Sequence, residues 1–256
     1  MAQQFPFGQA LHIVHQTDRS PKRVFVLGAY ASAVHARWIG TDGKDVVQAL
    51  AVASEPYIFW KGQGAADIIK KISMPPKLGK LQPAEPQFNG PSGIALDERI
   101  LGPLGLTRAD AWLCNLVPHS CVNVGQQKVI AERYTPLAAQ YGFAPATIPQ
   151  VPDGDLADAT RIAEIIGEMH ESKASILILL GDQPMKWFLS KAGQSWKRLS
   201  MFKPYGRLHP ICLNGMNLNV LPLVHPRQAV KQSTSSDHWF AVHDNWVKFA
   251  AGSLLK

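Results

Sequence analysis

Four polar side chains stand at or just beyond the ends of short apolar runs. Tyr30 follows residues 24–28, Asn115 closes 111–115, Asp182 follows 175–181, and His225 follows 217–224. Among them, a phenol, an amide, a carboxylate and an imidazole can donate, accept and exchange protons near neutral pH. Each run is nearly all apolar and carries a glycine or polar residue at or near its C-terminal end. Runs of that kind, separated by helical stretches, predict a parallel sheet buried on both faces. Ligands of such sheets bind beyond the carboxyl ends of the strands, so the four side chains are candidates for one crevice.

The stretches between the runs must position them. Residues 34–53 read as a hairpin turning at Asp42-Gly43, a pair suited to a tight strand connection. Residues 64–72 read as helix. The five prolines in 73–91 leave no periodic pattern there and predict a loop or flap. Ser92 can cap a helix whose apolar face includes Ile94, Ile100, Leu101 and Leu104. Residues 125–141 read as a helix broken or kinked at Pro136. The clearest helix is 155–172, where Leu156, Ala159, Ile162, Ala163, Ile166 and Met169 recur at helical spacing. A short helix from Asp182, a hairpin starting near Ile211, and a last helix from about Asp237 with Trp239, Val242, Trp246 and Phe249 on one face complete the reading.

Composition fits a globular chain. Of 256 residues, 46% are hydrophobic and 18% charged, enough for one large core. Lys and Arg number 26 against 19 Asp and Glu, a net charge of +7. That excess fits a polyanionic partner or a basic soluble enzyme. Three cysteines without a Cys-x-x-Cys pair argue against a disulfide framework and an all-cysteine metal or cluster site. The start, Met-Ala-Gln-Gln-Phe-Pro-Phe-Gly, has neither a basic beginning nor a long apolar stretch, and no apolar run reaches membrane-spanning length. A reducing, cytoplasmic setting is expected. No phosphate-binding Walker loop, Gly-x-Ser-x-Gly elbow or His-Glu-x-x-His helix occurs.

Taken in order, the segments 24–30 (Val-Phe-Val-Leu-Gly-Ala-Tyr), 112–115 (Trp-Leu-Cys-Asn), 176–181 (Ile-Leu-Ile-Leu-Leu-Gly) and 221–226 (Leu-Pro-Leu-Val-His-Pro) resemble the uracil-DNA glycosylase superfamily. The stretches 89–97 and 104–110 resemble the helix and turn before that family's central strand. The resemblance spans most of 22–250. It implies a single α/β/α three-layer domain over residues 1–256, with a central, mainly parallel sheet of about four strands. It implies a protein that flips uracil or another damaged base out of DNA and hydrolyses its glycosidic bond, with no cofactor or metal.

Residue by residue, the resemblance makes His225 the donor to the departing base. The alternative is a strand-end histidine that caps or packs. It makes Asn115 the amide that reads the base edge; the alternative is an amide that ties down a loop. Gly28, Ala29 and Tyr30 fall where the water side of the pocket is formed. There the chain departs from the family: no carboxylate or amide follows Gly28 closely. Asp42, Glu55 and Asp182 are possible substitutes that match no motif position. Trp38, Phe59 and Trp60 are candidates for stacking on a base, or core. Arg227 and Lys231 are candidates for pairing with DNA phosphates, or solvated charges. Two other classes stay open: a non-catalytic nucleic-acid or nucleobase-binding protein, and a hydrolase of free nucleosides.

Overall fold

The computed structural model describes residues 3–231 and 236–255. Its strands are β1 (Val24–Ala31), β2 (Ala33–Ile39), β3 (Asp45–Ser54), β4 (Lys80–Pro83), β5 (Ala111–Ser120), β6 (Ile176–Leu180), β7 (His209–Leu213) and β8 (Met216–Leu223). The chain divides into two compact units, each discontinuous in sequence. One comprises Met1–Val14, Ala31–Pro91 and His119–Asp153; the other comprises His15–Tyr30, Ser92–Pro118 and Gly154–Lys256.

The first unit is built on an antiparallel sheet in the order β3-β2-β4. The β2–β3 hairpin turns where Asp42-Gly43 predicts it. Gly43 adopts φ 78°, and the Asp42 carboxylate accepts the Lys44 N–H at 3.0 Å. The proline-rich stretch is more ordered than a loop: it contributes β4, which pairs with β2. Gly79 makes that approach possible. At φ 94° it passes so close to Ile39 that any Cβ would collide with the Ile39 carbonyl. Alternating residues of β2 and β3, with Trp38, Leu50 and Val52 among them, meet Trp60, Ile69 and Leu78 in the core.

The second unit is an α/β structure on a mixed five-stranded sheet ordered β5-β1-β6-β8-β7. β1 and β6 are parallel, as are β6 and β8, while β7 returns antiparallel to β8 through the expected hairpin. Arg23, just before β1, donates its N–H to the carbonyl of Asp110, just before β5, at 2.9 Å. The amino ends of these neighbours therefore meet, and they run the same way. The central strands read as continuous apolar runs because both faces are covered. Leu177, Ile178 and Leu179 of β6 are fully buried.

The helix predicted at 155–172 begins at Ala159, where Asp158 accepts the Arg161 N–H at 2.8 Å as the N-cap. Pro136 sits in the first turn of Thr135–Tyr141, after a π-helical turn at Ile130–Tyr134, so the expected break becomes a change of helix pitch. Ser92 lies inside the helix Pro91–Leu96 and does not cap it, because Pro91 already occupies the first turn. On the last helix, Ser236–Phe249, Trp246 is buried but Phe249 is 79% exposed. The buried place beside Trp246 is taken by His243. Among the described residues no helix is long and apolar enough to cross a membrane.

Candidate functional site

The registers of the second unit bring the sequence-predicted residues to one edge of the sheet. Leu27 pairs with Leu179, and the last β6–β8 rung is Leu180 with Leu223. Gly28 is therefore level with that rung. Tyr30, Gly181 and His225 lie one or two residues beyond it, all at the carboxyl edge. Counting from the Arg23–Asp110 contact, Asn115 stands level with Leu27 on β5. β1 and β8 are two strand spacings apart, about 10 Å, and β5 and β8 about 14 Å.

His225 is the most constrained of these residues. It caps the short helix Pro226–Ala229, and its Nδ1 accepts the backbone N–H of Arg227 at 3.2 Å. An Nδ1 that accepts leaves the ring proton on Nε2, so the neutral imidazole presents Nε2–H as a donor. Burial, helped by the nearby Arg227 charge, pushes the ring pKa down to about 4 and keeps it neutral at pH 7. The β6 terminus fixes its flank. Gly181 has φ 81°, and a Cβ placed there would meet the His225 Cβ at 3.1 Å. Glycine is thus required both for its backbone conformation and for the approach of the histidine.

Asn115 is 3% exposed, and its Oδ1 has no hydrogen-bond partner among the described residues. A buried acceptor left unpaired costs about 1–3 kcal/mol, so the site holds an acceptor that a ligand N–H would satisfy. Its backbone is gripped from the helix Ala159–Ser172. The Arg161 guanidinium donates to the Asn115 carbonyl at 2.8 Å and to the Leu116 carbonyl at 3.1 Å. Glu164 and Glu168 hold that guanidinium, and Glu168 also accepts from the Trp112 indole at 2.9 Å. Cys114 lies beside Arg161, fully buried. Desolvation raises its thiol pKa far above the usual range, which makes it a packing residue and not a nucleophile.

Other expectations change. Trp38 and Trp60 are 1% exposed in the core of the first unit, with their indole N–H groups on the Leu78 and Gln63 carbonyls. Phe59 is also buried. All three rings are buried, so none is open for a base to stack on. Tyr30, 40% exposed, is the aromatic ring at the sheet edge. Asp182 is an anchor: its Oδ1 accepts the Leu199 N–H at 2.7 Å and ties down the loop carrying exposed Lys197 and Arg198. Asp42 belongs to the hairpin turn, and Glu55 is buried in the first unit. Arg227 and Lys231 are both exposed, with the Lys231 ammonium 4.0 Å from Asp237 and 4.8 Å from the Phe240 ring. Among the described residues no three His, Cys, Asp or Glu side chains gather as metal ligands would.

Two clefts of the second unit hold none of these residues. One, about 420 Å³, lies by Ser175 and Asn217 at the amino ends of β6 and β8; the other, about 530 Å³, is lined by Tyr205, Arg207, Asn245, Trp246 and Phe249. Sequence reasoning missed Gly181 as a spacer, Arg161 as a clamp, and the pair Tyr205–His243. One signal was present: His243 falls between Trp239 and Trp246 at helical spacing, a lone histidine on an apolar face. No protein-family model matches the chain, and no curated protein matches it.

Proposed function

We propose that this protein is a glycosylase-like enzyme that removes uracil or another altered base from DNA, on a three-layer α/β/α fold of the uracil-DNA glycosylase kind. The observation that carries the reading is His225: a neutral imidazole, its tautomer set by the Arg227 N–H, presenting Nε2–H at the carboxyl edge of the sheet. In the proposed step the bond from sugar carbon to base nitrogen breaks and its electron pair leaves with the base. Nε2–H stabilises the negative charge that develops on the base oxygen. Water adds its oxygen to the sugar carbon and releases a proton, and the departing base takes one up. The unpaired Asn115 Oδ1 would accept an imide N–H of the flipped base. Tyr30 would wall the pocket, and the exposed Arg227, Lys197 and Arg198 would meet phosphates.

One observation favours the binding-protein reading. Residues 28–32 supply no carboxylate to take the water's proton, and the Asp182 carboxylate at the same edge is occupied by the Leu199 N–H. The test is single-turnover base release from oligonucleotides carrying uracil, hypoxanthine or xanthine, read by cleavage of the abasic site, with free nucleosides alongside. Base release that disappears in His225→Ala supports the enzyme. DNA binding with no release from any lesion moves the binding protein ahead. Release from free nucleosides alone replaces the DNA substrate with a small molecule.

A further inference from the structure

The strand that carries His225 leaves the sheet one residue before it. The β6–β8 ladder ends at Leu180 and Leu223, so the next N–H, that of Val224, is beyond the ladder. It is taken by the Tyr205 hydroxyl at 3.2 Å. That hydroxyl lies 2.6 Å from Nδ1 of His243, whose Nε2 lies 2.8 Å from the Arg99 carbonyl. A carbonyl oxygen can only accept, so Nε2 of His243 carries the proton and Nδ1 the lone pair. Tyr205 must then donate to His243, which leaves its oxygen free to accept from Val224. Every donor and acceptor in the chain is assigned, and it runs one way.

The chain is rigidly seated. His243 is fully buried, and Tyr205 lies edge-on to His243 and Trp246 with centroids 6.0 and 6.2 Å away. The Trp246 indole donates to the carbonyl of Gly206, the next residue, at 3.0 Å. We propose that Tyr205 and His243 are positioning residues: they lock the Val224 N–H, one residue before His225, to the C-terminal helix and so set the aim of the His225 Nε2–H. His225 is then held in three places: the N–H before it by Tyr205, its flank by Gly181, and its Nδ1 by Arg227. A donor to developing charge acts only over a few tenths of an ångström, so such supports control rate without touching the ligand. The inference rests on His225 being that donor.

The experiment uses Tyr205→Phe, which keeps the ring and removes only the hydroxyl. It is paired with His243→Gln, whose amide can still donate to the Arg99 carbonyl and accept from Tyr205. Three quantities are read in the full-length protein: affinity for a uracil-containing oligonucleotide, single-turnover base release, and the ring nitrogen resonances of His225. Tyr205→Phe is expected to slow release by about 10- to 100-fold with affinity within about twofold of the parent, and to shift or broaden the His225 resonances. His243→Gln is expected to stay nearer the parent than Tyr205→Phe in rate and spectrum. Parent-like rate and His225 resonances in Tyr205→Phe would overturn the proposal. So would a loss of rate matched by loss of affinity with His225 undisturbed. If the parent itself releases no base, the catalytic reading falls, and the His225 resonances alone decide whether Tyr205 positions that ring.

Discussion

The ends of β8 and β1 lie about 10 Å apart on one sheet edge and are built to different standards. Beyond β8, His225 is held by a helix cap, by the close approach of Gly181, and by the Tyr205 contact to the N–H of Val224. In the last residues of β1, short of its end at Ala31, stand Ala29 and Tyr30, one without a functional group and the other 40% exposed. If the site excises bases, the difference says which half of the reaction is assisted. The departure of the base has a placed, neutral donor. The attack of water has no group of comparable placement at the first strand. A site of that kind gains its rate from stabilising a leaving group and leaves water to arrive unaided.

The sharpest way to break this contrast is to exchange the losses. His225→Ala is expected to lower single-turnover base release by about 100- to 1000-fold. Asp182→Asn, Asp42→Asn and Glu55→Gln are each expected to cost less. An acid variant that is dead while His225→Ala keeps near-parent activity would show that the water side carries the reaction.

Acid titration tests the same contrast through stability. His225 and His243 both have ring pKa values pushed down to about 4 by burial, against about 6.5 in the unfolded chain. The unfolded state therefore takes up these protons first as pH falls. Their stability contribution is full above about pH 6.5 and is lost between about 6.5 and 4, by up to about 1.4 kcal/mol per pH unit for each ring. His225→Gln should flatten part of that slope in denaturant melts at a series of pH values. A slope identical to the parent's would mean that His225 is not held neutral.

Gly181→Ala is expected to destabilise by about 1–3 kcal/mol, since alanine is strained at φ 81° and its Cβ presses on His225. Activity should fall more than the melting midpoint alone accounts for. Asn115→Leu is expected to do the reverse: stability neutral or higher by about 1 kcal/mol as the unpaired Oδ1 disappears, with discrimination between bases relaxed. A marked loss of stability would instead make Asn115 a structural residue. The smallest effect concerns DNA affinity. Replacing Arg227, Lys197 and Arg198 together by Gln should lower the slope of log affinity against log salt by about two to three on duplex DNA. An unchanged slope would remove all three from the interface.

The sheet was legible because β1, β6 and β8 are apolar runs of a kind that only a strand buried on both faces requires, and their polar exits mark the carboxyl edge. His225 was legible for the same reason; Asn115 was expected to close its strand, but β5 runs on past it to Ser120, so the amide lies inside the strand. The supports were not, because they join residues distant in sequence. Nothing local in Gly181 says that a histidine 44 positions later will press on it, and Arg161 reads as one exposed-looking cation of an amphipathic helix until β5 is placed beside it. Trp38 and Trp60 stood open between core and stacking platform because an aromatic ring fits both in sequence; their burial decides for the core. Strand β4 was hidden by the prolines around it and by Pro83 at its end, a residue an edge strand tolerates.

The grip of Arg161 on β5 has another consequence. β5 is an outer strand of the five-stranded sheet, and an outer strand presents unpaired carbonyls and N–H groups onto which another chain can add. Here the guanidinium occupies the carbonyls of Asn115 and Leu116, and the Gln16 side-chain oxygen takes the Leu113 N–H at 3.2 Å. The apolar segment Trp112-Leu-Cys-Asn-Leu-Val has the composition of an aggregating strand, and two side chains deny it a template. Guarding solubility and holding the amide in place thus fall to the same arginine, and a chain that lost it would be exposed to edge-to-edge association before any effect on a ligand was felt.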